Sequence, residues 1–165
     1  MLFLAPAELR AIGDARALDD LLARRELVVA YGTGEIRGIH AAALLFADYA
    51  VLHDTATLHV DVAEAWAAVA WRLGRGAMRW AFDGEQARDV VDEITDREPQ
   101  SWLEEWMRHR SVMALDSAAV LIRSRGGDRL ERAEFARLFA IGEPQKGLGA
   151  FLAKAKPAWD AAGKQ

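Results

Sequence analysis

Val28-Val29-Ala30-Tyr31-Gly32-Thr33-Gly34-Glu35-Ile36-Arg37-Gly38-Ile39-His40-Ala41-Ala42-Ala43-Leu44-Leu45-Phe46-Ala47-Asp48 holds three kinds of text in a row. With Leu27, the first residues form a short apolar run rich in β-branched side chains. Such a run reads as a buried strand of a parallel sheet. Residues 32–38 carry three glycines and read as a turn. Residues 40–47 are small and apolar and predict a helix that ends at Asp48. Tyr49-Ala50-Val51-Leu52-His53 then reads as a second strand, and Thr57-Leu58-His59-Val60 as a third, shorter one. Strand, turn, helix and strand in this order make a βαβ-type unit and predict an α/β fold.

The flanking text fits this unit. Residues 2–4 suit a short strand, and Pro6 suits the first turn of a helix, where its missing N–H is harmless. Leu9, Ile12, Leu18, Leu21 and Leu22 recur at helical spacing to Arg25, with an interruption at Gly13-Asp14. From Val62 onward the sequence turns helical. Helices are expected over residues 62–72, 77–82, 85–94, 99–124, 130–141 and 145–155, with Pro157 closing the last. Residues 1–98 are thus expected to form an α/β core. Residues 99–165 are expected to form a helical oligomerisation region, the two making one structural domain.

Composition narrows the function. The chain has 165 residues and a formal net charge of −4, which disfavours a nucleic-acid partner. It has no cysteine, so thiol nucleophiles and cysteine-based metal sites are excluded. Met-Leu-Phe-Leu-Ala-Pro lacks the basic start of a signal peptide, and no run approaches the ~20 apolar residues of a membrane span. A cytoplasmic location and no membrane partner are expected. Among His40, His53, His59 and His109 no pair has metal-ligand spacing, so no metal site is expected. Trp66, Trp71, Trp80, Trp102 and Trp106 suit a core or a subunit interface.

The glycine turn admits several readings. Gly32-x-Gly34-x-x-x-Gly38 misses the dinucleotide-binding spacing by one residue, and no Gly-Lys-Ser/Thr follows for a P-loop. Two readings remain: a tight turn needing positive φ, or an anion site where N–H groups at a helix start face a negative oxygen.

Residues 28–48 resemble the signature segment of the enoyl-CoA hydratase/isomerase (crotonase) family. That signature has a buried strand, a glycine, three residues, a glycine run, a helix with Leu-Ala and a closing Asp. Gly34, Gly38 and Asp48 fall in register with it. Residues 139–159, with Gly147, Ala150-Phe151 and Pro157-Ala158-Trp159, are similar to the family's closing pattern. Between them, Arg72-Leu73-Gly74, Ala77 and Phe82-Asp83-Gly84 look like its middle landmarks.

The resemblance implies a spiral of ββα turns, here in an amino-terminally truncated form, and trimeric or hexameric association. It further implies an acyl-CoA or acyl-carrier thioester held with its carbonyl oxygen in an oxyanion hole, the thioester being substrate and no other cofactor being needed. The backbone N–H of Ile39, beside Gly38, takes the place of one oxyanion donor. No residue can be carried over for the second. Lys154 and Lys156 stand where family members hold cations near the CoA nucleotide, and they equally suit a helix carboxyl terminus. The two carboxylates of a hydratase would lie at Ala42 and Val62, so ordinary hydration is not expected. The remaining acid/base candidates are His40, Asp61 and Glu64; Asp61 also suits an N-cap and Glu64 the first turn of its helix. Two functions stay open. One is enolate-stabilising lyase, isomerase or thioester-hydrolase chemistry. The other is a non-catalytic oligomerising subunit that has lost its groove and works as a scaffold or as a partner to a full-length relative.

Overall fold

Six short runs of the chain are extended: β1 (Leu2–Leu4), β2 (Val28–Gly32), β3 (Glu35–Ile36), β4 (Tyr49–His53), β5 (Thr57–Leu58) and β6 (Glu93–Thr95). The computed structural model describes residues 1–60, 62–73, 90–124 and 127–159, with only the backbone of 62–66 and 73. β1, β2, β4 and β6 lie in the order β1-β2-β4-β6, and each neighbouring pair is parallel. Every residue of β2 is buried. Side chains alternate between faces along a strand, so both faces of β2 are covered, as its unbroken apolar text predicts.

Parallel neighbours need crossovers, and helices supply them. α1 (Pro6–Arg10) and α2 (Ala15–Leu22) lead from β1 to β2, α3 (Gly38–Phe46) lies between β2 and β4, and α4 (Val62–Leu73) follows β5. The break between α1 and α2 falls at the expected Gly13-Asp14, where the Asp14 carboxylate accepts from Ala17 N at 2.8 Å and caps α2. α3 buries Ala41, Ala42, Ala43, Leu44 and Leu45. With Val28, Ala30 and Leu52 of the sheet, Leu9 of α1 and Val69 of α4, they form one apolar cluster.

Four expectations are corrected. The turn over residues 32–38 contains a strand: β3 pairs in parallel with β5 in a separate two-stranded sheet. Thr57 N donates to Gly34 O and His59 N to Ile36 O, extending that ladder at both ends. The third strand is correspondingly shorter than residues 57–60. Residues 93–94, expected at the end of a helix, belong to β6, because pairing beside β4 outweighs local helix pattern. The expected helices over 77–82 and most of 85–94 lie outside the described residues.

The expected helix over residues 99–124 is two helices, α5 (Pro99–Met107) and α6 (Val112–Arg123). Ser111 separates them by capping α6, its hydroxyl oxygen accepting from Ala114 N at 3.1 Å. α7 (Asp128–Ala140) and α8 (Glu143–Leu152) follow, separated at Gly142, whose φ is +81°. Trp102 and Trp106 are buried and their rings stack, whereas Trp71 is exposed. The side chains of Trp66 and Trp80 lie outside the described residues. The chain divides into two units: Leu2–Arg24 with Val28–Pro99, and Met1 with Arg25–Leu27 and Gln100–Gln165. No helix among the described residues is long and apolar enough to cross a membrane.

Candidate functional site

The bend between β2 and α3 builds the site. Gly34 has φ +66° and Gly38 φ +56°, a region in which side chains with a Cβ are strained. Asp48 anchors the far end of α3, its carboxylate accepting from Val28 N at 2.7 Å and tying the start of β2 to the entry of β4. Two consequences of the sequence meet at the start of α3. Arg37, its N-cap, is extended and offers no side-chain cap. The first intrahelical bond runs from Ala41 N to Arg37 O at 3.4 Å, so the N–H groups of Ile39 and His40 precede it and have no acceptor among the described residues.

A cavity of about 270 Å³ lies beside this bend, lined by Pro6, Leu9, Arg10, Thr33, Glu35, Ile36 and His40. Pro6, Leu9 and Ile36 give it apolar walls. The Ile39 side chain packs instead against the apolar cluster, so it does not fill the cavity. His40 is half-buried and forms part of the wall. Arg10 Nη2 donates to Thr33 O at 3.2 Å across the bend. The Glu35 carboxylate pairs with the Arg37 guanidinium and lies 3.3 Å from Nε2 of His59. Tyr31, at the end of β2, is fully buried and donates its hydroxyl to Arg97 O at 2.5 Å. Burial, aided by the nearby carboxylates of Glu98 and Asp54, pushes its phenol up to about 12, so it stays protonated at neutral pH.

Of the residues singled out from sequence, Gly38, Ile39 and His40 come together at this bend. Asp61 lies outside the described residues, as does the side chain of Glu64, which stands in α4. Ala42 is buried within α3, and Val62 opens α4. Lys154 and Lys156 belong to the other unit, just past α8. Lys154 has φ +51°, and its N–H and that of Ala155 bond back to Phe151 O and Ala150 O, closing the helix as a Schellman turn. Lys156 Nζ lies 3.3 Å from Nε2 of His109. No group of three or more His, Asp or Glu suited to a metal occurs among the described residues. Arg10 and Glu35 were not singled out. The available signal was helical spacing, which puts Arg10 four residues after Pro6 on one face of α1.

This is the fold of the enoyl-CoA hydratase/isomerase structures, a mixed α/β architecture on a parallel sheet. A structure of an enoyl-CoA hydratase/isomerase from Cupriavidus metallidurans CH34 superposes with a TM-score of 0.65 at 19% identity, covering 99% of this chain and 80% of that one. An enoyl-CoA hydratase from Polaromonas sp. JS666 gives 0.62 at 20% identity, covering 94% and 68%. An enoyl-CoA hydratase/isomerase from Marinobacter aquaeolei gives 0.56 at 20% identity, covering 93% and 67%. No family model matches the sequence, and no curated protein matches it.

Proposed function

We propose that this chain is a crotonase-type protein that binds an acyl-CoA or acyl-carrier thioester in the cavity beside α3. The observation that carries this reading is the unpartnered N–H of Ile39 in the first turn of α3, next to a cavity with apolar walls. An N–H at a helix start, aided by the helix dipole, stabilises a thioester oxygen as negative charge develops on it. His40 is the nearest base. It would take a proton from the carbon next to the carbonyl, the C–H electron pair forming a C=C bond while the carbonyl π pair moves onto oxygen. Hydration of an enoyl thioester is not proposed, since Ala42 and Val62 carry no proton. Lyase, isomerase or thioester-hydrolase chemistry remains, with Asp61 or Glu64 as a second acid/base group and Gly38 as a binding residue.

Thermal unfolding with rising CoA and acetyl-CoA tests this. A ligand that binds only the folded state adds about 2.7 kcal/mol at a hundred times its Kd. Ile39→Pro removes the N–H without breaking a helix bond, and Ile39→Val keeps it. The thioester-dependent shift is expected to persist in Ile39→Val and vanish in Ile39→Pro. Absence of any shift in the unmodified chain rejects the site, and a His40→Ala variant with full turnover rejects the base.

One observation favours the second reading, a non-catalytic oligomerising subunit. Phe135, Phe139, Leu148, Phe151 and Leu152 are exposed on α7 and α8. A firm trimer or hexamer by light scattering, without any thioester-dependent shift, would support it, alone or with a full-length relative.

A further inference from the structure

We infer that Arg10 reads a carboxylate at the far end of the acyl group, so that the cavity favours thioesters of short dicarboxylic acids over neutral acyl thioesters. The inference rests on the thioester reading above and adds the substrate class. Arg10 lines the cavity with Pro6, Leu9 and Ile36, whose apolar walls suit a short carbon chain. The volume of about 270 Å³ is just below the ~300–1,000 Å³ of sites for larger ligands. A guanidinium has five N–H donors, and Arg10 spends one, on Thr33 O. No carboxylate among the described residues forms an ion pair with it. That bond, on the exposed side of the cavity, spans the bend. A Cβ built on Gly34 would lie 3.2 Å from Arg10 Nη2, so the glycine leaves the guanidinium its room.

The charges agree. The cavity has one acidic wall residue, Glu35, and its charge is met by Arg37 and faced by the His59 ring. Arg10 therefore contributes the uncompensated charge of the wall, and it is positive. A planar guanidinium with parallel free N–H groups fits a carboxylate in two-pronged fashion, which a neutral methyl end cannot use. His40 on the same wall remains available for proton transfer at the thioester end.

The test compares succinyl-CoA with butyryl-CoA by calorimetry on the full chain. Both have four acyl carbons and the same CoA moiety, so contacts to the nucleotide cancel in the ratio of affinities. Succinyl-CoA is expected to bind about tenfold tighter or better, the scale of one charge-assisted hydrogen-bond pair. In Arg10→Met that ratio should fall to within about twofold, and in Arg10→Lys to an intermediate value, a point charge replacing a fork. Circular dichroism checks that both variants fold. Equal binding of the two thioesters by the unmodified chain overturns the inference and leaves the thioester reading standing. Binding of neither overturns both, and an unaltered ratio in Arg10→Met removes Arg10 as the reader.

Discussion

Glu134 illustrates how a single buried charge is made tolerable. Its side chain is 6% exposed and lies among three donors: Arg137 Nε at 3.0 Å, the Ser117 hydroxyl at 3.0 Å and Arg25 Nη2 at 2.5 Å. The hydrogen bond from Arg137 leads in holding the carboxyl below its ordinary 4.5; burial opposes it, and Ser117 and the two arginine charges add to it. A folded pKa below the unfolded one contributes stability above the unfolded value, and that stability is lost as pH falls through the folded one. Urea unfolding of the unmodified chain should therefore weaken as pH drops below about 4.5. Glu134→Gln should cost about 1–3 kcal/mol at pH 7 and much less at pH 3, its acid limb being flatter. Parallel pH profiles for the two chains would refute this. At the same scale, the place of Ile39 and His40 at the bend was legible because the glycines beside them fix the bend locally. Arg10 and Glu35 were not: Arg10 meets Thr33 across 23 residues, through the β1–β2 register, and no local pattern encodes that meeting.

Among the elements, α3 is held at its carboxyl end by a residue of α4. Arg72 Nη1 donates to Leu45 O at 3.0 Å and Ala47 O at 2.8 Å, and Nη2 pairs with Asp92. Burial lowers the pKa of Arg72 and the nearby Asp48 charge raises it again, so the guanidinium is retained. A cation at this end also complements the helix dipole, whose positive end is at the bend. Arg72→Ala strands two carbonyls and removes the cation beside exposed Asp92, which keeps its bond from Ala50 N, and the urea midpoint should report a loss of about 1–3 kcal/mol. Arg72→Lys should recover part of it, because one ammonium cannot reach three acceptors with a fork's geometry. A loss below about 0.5 kcal/mol, the range of an ordinary surface change, would count against this role. Strand and helix types were legible here from periodicity. The break at Ser111 was not, since Trp102, Trp106, His109 and Met113 keep helical spacing across it. Ser111 takes its second partner, the buried carboxylate of Glu143 at 2.5 Å, from 32 residues further on.

For the whole molecule, the parallel sheet was legible because buried parallel strands need continuous apolar text, and residues 27–31 and 49–53 supply it. β6 was not, as three residues of mixed character acquire strand identity only beside β4. The same reasoning about apolar text applies to the carboxyl-terminal surface. Phe151 is 78% and Leu152 73% exposed on α8, and Phe135 and Phe139 of α7 pack ring to ring at 4.6 Å while remaining exposed. Soluble monomers rarely leave clustered large apolar groups in water, so this surface is expected to be covered by further copies of the chain. Light scattering should give a mass of more than one chain, three or six being the number that the family resemblance implies. Phe135→Asp with Phe151→Asp places charges in the contact, and the mass should fall to that of one chain. Neither side chain is needed for the fold of a single copy, so far-ultraviolet circular dichroism should be retained and each change should shift stability by no more than about 0.5 kcal/mol. A monomer at high micromolar concentration in the unmodified chain would defeat the prediction. A trimer that survives both aspartates would move the contact elsewhere on the surface.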